Sequence, residues 1–191
     1  MPEVNAPLML YVEPDLSPEE QTLWCDTIAA ELRAAQLILP GEDSQWLTLL
    51  ATAAAEELPE AASGKALLVS EQLAPTFVWI TVAAPGGEPT RLGDAVLATQ
   101  LPGDPSAAPA TPEDDHDPVF QRSRLGQEVL SDGSELVVQT TVTTTTVTLP
   151  ELGPVDVCLW FNTIDLTGAD AVLPLVAEAA QSPDLLTYLS S

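Results

Sequence analysis

Residues 135–163 read ELVVQTTVTTTTVTLPELGPVDVCLWFNT. Val and Thr dominate Glu135 to Leu149, and β-branched side chains fit a pleated strand better than a helix. Pro150-Glu151-Leu152-Gly153-Pro154 then turns the chain, and Val155 to Thr163 runs back. The turn is too short for a crossover, so the two strands are expected to be antiparallel. On the other side, Ser131-Asp132-Gly133-Ser134 reads as a hairpin turn, because Asp-Gly tolerates the positive φ such turns need. Val119 to Leu130 before it reads as a third strand. Three long antiparallel strands in sequence set the character of the fold.

Toward the C-terminus a helix is expected over about Ala169 to Gln181, with Val172, Leu173, Val176 and Ala180 inward. Leu185, Leu186 and Tyr188 form a closing turn. Toward the N-terminus, Pro102 to Pro118 is rich in Pro, Ala and Asp and reads as a mobile surface loop. Thr90 to Leu101 reads as a strand, interrupted by Gly93-Asp94, and Pro85-Gly86-Gly87 as a turn. Thr76 to Ala83 is apolar at both parities, as in a strand covered on two faces, and Ala66 to Ser70 is another β-rich run.

Two helices precede these strands. Ser17-Pro18-Glu19-Glu20 combines an N-cap serine, a first-turn proline and a capping-box glutamate. Trp24, Ile28, Leu32, Ala35 and Leu39 follow at helical spacing up to Pro40-Gly41. A second helix opens at Asp43 or Ser44, carries Trp46, Leu49, Leu50, Ala53, Ala54 and Leu58 on one side, and stops at Pro59. Leu8 to Val12 is a short first strand. The expected fold is a single α+β domain over 1–191. Its mainly antiparallel sheet has about six or seven strands, with N-terminal helices and a C-terminal helix packed on it as an α-β-α sandwich.

Composition narrows the function. The 191 residues hold 29 acidic and 5 basic side chains, a formal net charge of -24. Charged residues are only 18%, below the usual ~25%, so the imbalance reflects scarce Lys and Arg. Such a surface repels phosphate backbones and anionic lipids, which argues against nucleic acid and membranes as partners. Dense acidic rows spaced like phosphates, which a nucleic-acid mimic or acidic inhibitor needs, are not evident. The first residues lack the basic start and apolar run of a signal peptide, and no run nears the ~20 apolar residues of a membrane span. A cytoplasmic protein is expected. Cys25 and Cys158 read as buried free thiols, with one disulfide between them as the alternative.

Residues Val137 to Leu186 also resemble the closing portion of PsbP-like α-β-α proteins. The likeness lies in the Val/Thr strand, the Pro/Gly turn, Val157-Cys158-Leu159-Trp160-Phe161-Asn162-Thr163 and the helix opening Gly168-Ala169-Asp170-Ala171. It covers about a quarter of the chain and is one of pattern. It implies a mostly non-catalytic, protein-binding family and supplies no active-site residues.

Candidate chemistry is sparse. His116, the only histidine, stands in Glu113-Asp114-Asp115-His116-Asp117. That set of hard donors with one imidazole could hold a metal or small ligand, but it lacks EF-hand order, and a solvated acidic loop is the favoured reading. No Gly-x-Ser-x-Gly elbow or phosphate loop occurs. Arg122 and Arg124 share one face of a strand and are read as pairing with neighbouring acids. No catalytic, cofactor or metal residue is assigned. The favoured function is a non-enzymatic protein-interaction or assembly module. Its candidate contact residues are Trp24 and Trp46, one on each N-terminal helix, as interface anchors. Thr141, Thr143 and Thr145 join them if their strand is a sheet edge open to strand addition.

Overall fold

The computed structural model describes residues 8–13, 15–38, 41–69, 75–84, 89–100, 119–129 and 133–190. The fold is α+β, and its six strands form an antiparallel sheet. In chain order the elements are β1 (Leu8–Val12), α1 (Pro18–Ala34), α2 (Asp43–Ala55), β2 (Gly64–Val69), β3 (Thr76–Ala83) and α3 (Pro89–Gln100). They continue with β4 (Val119–Val129), β5 (Glu135–Leu149), β6 (Gly153–Thr163), α4 (Leu166–Ala179) and α5 (Pro183–Leu189). The strand order is β1-β2-β3-β6-β5-β4. The chain divides into two compact units, Met1–Val78 and Trp79–Ser191. The loop expected at 102–118, with His116, and the turn expected at 85–87 lie outside the described residues.

In the first unit, β1 and β2 pair antiparallel with Leu10 opposite Leu67. The capping box at the start of α1 is formed: the Ser17 N–H donates to the Glu20 carboxylate at 2.8 Å, and the Glu20 N–H donates back to Ser17 Oγ at 3.4 Å. Hydrogen bonding from the Ser17 side chain, and then from its backbone N–H, holds the Glu20 carboxyl below its ordinary range. α1 ends earlier than Pro40-Gly41 suggests, because Gln36 takes a left-handed backbone with φ 60°. Cys25, Ala29 and Leu32 of α1 meet Leu50 and Ala54 of α2 over Leu10, Leu67 and Val69 in one buried core. The Arg33–Asp43 ion pair at 2.6 Å joins the two helices at the surface, where such a pair contributes at most ~1 kcal/mol.

In the second unit the two predicted hairpins are present. β4 pairs with β5 and β5 with β6, each antiparallel over eleven residue pairs. β3 lies on the far side of β6, with Trp79 opposite Trp160. The two indoles stack at a tilt of 41°, with centroids 6.0 Å apart, inside the favourable range for aromatic pairs. Trp160 is fully buried, and its Nε1–H donates to Thr81 Oγ1 at 3.1 Å.

The segment read as a strand over Thr90 to Leu101 is instead α3. Pro89 occupies the first helical position, where a missing N–H costs nothing. The buried Val96 and Leu97 lie one turn on from the buried Gly93. Gly93-Asp94, which looks like a strand interruption, is the contact point of the helix. A Cβ at Gly93 would lie 3.0 Å from Thr144 Cγ2 and 3.2 Å from Val142 Cγ2. Only a residue without a side chain lets α3 approach β5 this closely. The expected C-terminal helix is α4, and the closing turn expected at Leu185, Leu186 and Tyr188 is a second helix, α5. Ala169, Val172, Val176 and Ala179 form the buried side of α4, Leu185 that of α5, and Pro174 sits on the exposed side of α4.

α3 and α4 cover opposite faces of β4-β5-β6. Gly93 rests on the face of Val142 and Thr144. Gln121, opposite Thr143 on the other face, donates to the Leu173 carbonyl of α4 at 2.8 Å. Gly93→Leu is expected to overpack the α3–β5 contact and to cost about 1–3 kcal/mol. The check is a lower urea midpoint at unchanged slope, with Gly93→Ala less affected because helix propensity offsets part of its crowding.

Candidate functional site

Most of the threonine tract forms no outer face; only Thr146 and Thr148 at its end are exposed. Thr140, Thr141, Thr143, Thr144 and Thr145 are all buried, none more than 4% exposed. β5 lies between β4 and β6, with helices over both faces, so it is no sheet edge. Thr141, Thr143 and Thr145 therefore cannot receive a partner strand. Their hydroxyls are used inside the protein. On the α4 side, Thr141 Oγ1 bonds Ser123 Oγ at 2.8 Å and accepts from Gln139 Nε2 at 3.3 Å. Thr143 Oγ1 accepts from Gln121 Nε2 at 3.1 Å. On the α3 side, Thr140 donates to Asn162 Oδ1 and Thr146 to Asp156 Oδ1, both at 2.7 Å. Thr140, Thr141 and Thr143 each present a methyl to the packing and a hydroxyl to a cross-strand partner, as the rule for buried polar groups asks.

The two tryptophans are brought to different roles. Trp24 packs against the first unit's core and donates its Nε1–H to the Tyr11 carbonyl at 3.2 Å. It fastens α1 to β1. Trp46 is also half-buried against that core, but it borders a groove of about 320 Å³. Glu42, Gln45 and Leu49 of the start of α2, and Pro75, complete the lining. Ring and aliphatic surface make up most of it, with the glutamate and glutamine at its polar edge. Such a groove suits an apolar side chain.

A second, more polar groove of about 500 Å³ lies where α2 ends. Asp15, Gln21, Glu56 and Glu57 line it around Lys65, the only lysine of the chain. Lys65 opens β2 and is 4% exposed. Its Nζ donates to the Ala54 carbonyl at 2.9 Å and to the Glu56 carbonyl. α2 has no basic residue in its own last turn. Lys65 supplies from β2 the cation that the negative end of a helix favours, and satisfies carbonyls left over at its C-terminus. Two of its three N–H groups are so engaged, which makes the amine a helix cap. Sequence reading passed it over, although a lone lysine at the head of the apolar run Ala66-Leu67-Leu68-Val69 was a visible signal.

The remaining candidates resolve simply. Cys25 and Cys158 are free and buried. Burial raises both thiols, joined at Cys25 by the charge of Asp26, so neither has the thiolate character that reactivity needs. Arg122 pairs with Asp94 of α3 at 2.5 Å. Among the described residues, no group of three or more His, Cys, Asp or Glu side chains could hold a metal ion. No helix among them is long and apolar enough to cross a membrane.

Two predictions follow from these contacts. Thr141→Val is expected to cost about 1–3 kcal/mol by removing the partner of Ser123. In a double-mutant cycle with Ser123→Ala, the coupling should reach at least ~0.5 kcal/mol, read by urea unfolding. Burial lowers the Lys65 pKa from its ordinary 10.5, against the opposing charge of Glu56. Between the lowered folded value and 10.5 the unfolded chain binds more protons, so the stability owed to Lys65 rises with pH there. Stability measured from pH 7 upward should shift progressively in favour of the wild type over Lys65→Met within that window. A constant difference across it would show that Lys65 does not titrate early.

Compared with known proteins, the chain matches no protein-family model, no curated protein and no solved structure.

Proposed function

We propose that this protein is a non-enzymatic interaction or assembly module that binds another protein through the groove beside Trp46. The observation that carries this reading is the groove itself: a tryptophan, half-buried and braced by the core, flanks about 320 Å³ of mostly apolar space at the start of a surface helix. Tryptophan is enriched among the residues that dominate protein interfaces, because a rigid ring contributes large contact area at little entropic cost. A net charge of -24 disfavours nucleic acid and anionic membranes. The two buried free thiols suit a reducing compartment such as the cytoplasm. The resemblance of residues 137–186 to PsbP-like proteins agrees with a binding role but does not carry it.

The partner contact should be apolar at its centre and should survive screening. Affinity capture at ~150 mM and at ~1 M salt, where the Debye length falls from ~8 Å to ~3 Å, separates it from charge-driven association. Trp46→Ala is expected to weaken the captured partner's affinity about 30-fold, as losing an anchor worth about 2 kcal/mol does. Because Trp46 also touches the core, Gln45→Arg serves as a second variant at the groove's exposed edge, with folding followed by circular dichroism. A partner whose binding ignores both substitutions would overturn this assignment of the surface.

A further inference from the structure

The outer edge of β4 is the one locally basic stretch of this acidic protein. Residues 119–129 read VFQRSRLGQEV and contain two of the chain's five basic residues against one acid. β4 is eleven residues long and ends the strand order; among the described residues no strand pairs with its other side. Alternate N–H and C=O groups along such an edge point outward and are open to another strand. Two large apolar side chains are exposed beside it: Leu125 at 54% and Val137 at 43%. Leu125 is opposite Gln139 and Gln127 is opposite Val137, so the two share a face as diagonal neighbours.

From this we infer that β4 pairs antiparallel with β4 of a second copy of the chain, about a two-fold axis through Leu125. A two-fold axis perpendicular to the sheet keeps each side chain on its own face, so the axis must pass through a residue and opposite positions must share parity. Four registers place the centre of β4 on the axis. Centring on Ser123 sets Arg122 against Arg124 twice, and centring on Arg124 sets Arg124 against itself. Like charges directly opposite are destabilising. Centring on Gly126 leaves Leu125 opposite a glutamine and puts only glycines at the axis. Centring on Leu125 sets Leu125 against Leu125 and sets neither Arg122 nor Arg124 against an arginine. Charged residues on an edge strand usually discourage self-pairing; in this register neither arginine faces a like charge. The same edge is where the repulsion between two bodies of charge -24 is least.

The inference is independent of the Trp46 groove. Its test is the mass of the full chain by light scattering at ~100 μM protein and ~0.15 M salt, where surface repulsion is screened beyond ~8 Å, together with cysteine crosslinking. A dimer mass is expected. Leu125→Cys should close a covalent dimer on mild oxidation, since opposite residues of an antiparallel pair stand about 4.5–5.5 Å apart at Cα, within disulfide range. The exposed Gln127→Cys should not, because the two copies of position 127 are displaced by four residues, ~13 Å. Cys25 and Cys158 are buried and do not compete. Leu125→Lys, at an exposed position, should keep the wild-type circular dichroism and halve the mass. A monomeric wild type, equal crosslinking at 125 and 127, or a dimer untouched by Leu125→Lys would each overturn the proposal.

Discussion

A buried strand that is half threonine imposes one condition on the second unit: every hydroxyl it hides must find a partner. β5 carries Thr140, Thr141, Thr143, Thr144 and Thr145 into the interior, and an unpaired hydroxyl there costs about 1–3 kcal/mol. For Thr140, Thr141 and Thr143 the condition is met sideways, through Ser123 and Gln121 of β4 and through Asn162 of β6. These bonds fix register as well as energy. A slip of one residue would exchange the two faces of β5, parting Thr141 from Ser123 and Thr140 from Asn162. It would also remove Thr144 from beneath Gly93, where α3 makes its close approach. The helices on both faces thus depend on a polar layer that specifies how the three strands align.

The first unit meets a different demand with a single charge. Helix α2 ends beside the apolar core, and its last carbonyls need donors. Lys65 reaches them from β2, so one side chain ties a strand to a helix end and is itself compensated for leaving water. Burial disfavours its charged form, and the helix carbonyls favour it. Trp24 does the corresponding work for α1, with its ring in the core and its N–H on the Tyr11 carbonyl.

Much of the fold was legible because its signals were local. Ser17 and Glu20 announce a helix start by their own hydrogen bonds, and the Pro150–Pro154 turn delimits the hairpin of β5 and β6. What failed were readings that depend on tertiary neighbours. Residues 89–100 have weak periodicity, and a glycine in their middle looks like an interruption until β5 is beneath it. The threonines read as solvent-facing, since nothing in their own sequence reveals that a helix lies over each face. Trp24 and Trp46 occupy equivalent-looking positions on consecutive helices; only the structure separates a ring fastened to β1 from one beside a groove. Lys65 was visible as the lone lysine, but its use depends on where α2 ends.

The same dependence explains the charge. With five basic residues in 191, an acidic surface is the default, and the structure shows that the few cations serve internal contacts. Arg33 holds Asp43, Arg122 holds Asp94, and Lys65 caps α2. Arg91 and Arg124 are engaged as well. Under the binding role proposed above, selection among partners would fall to long-range repulsion and short-range apolar fit. Repulsion lowers the encounter rate with acidic molecules, the more so at low salt. Affinity for what does arrive must then come from surfaces where charge is low and apolar area is exposed. Among the described residues, the groove beside Trp46 and the Leu125 edge of β4 have that character.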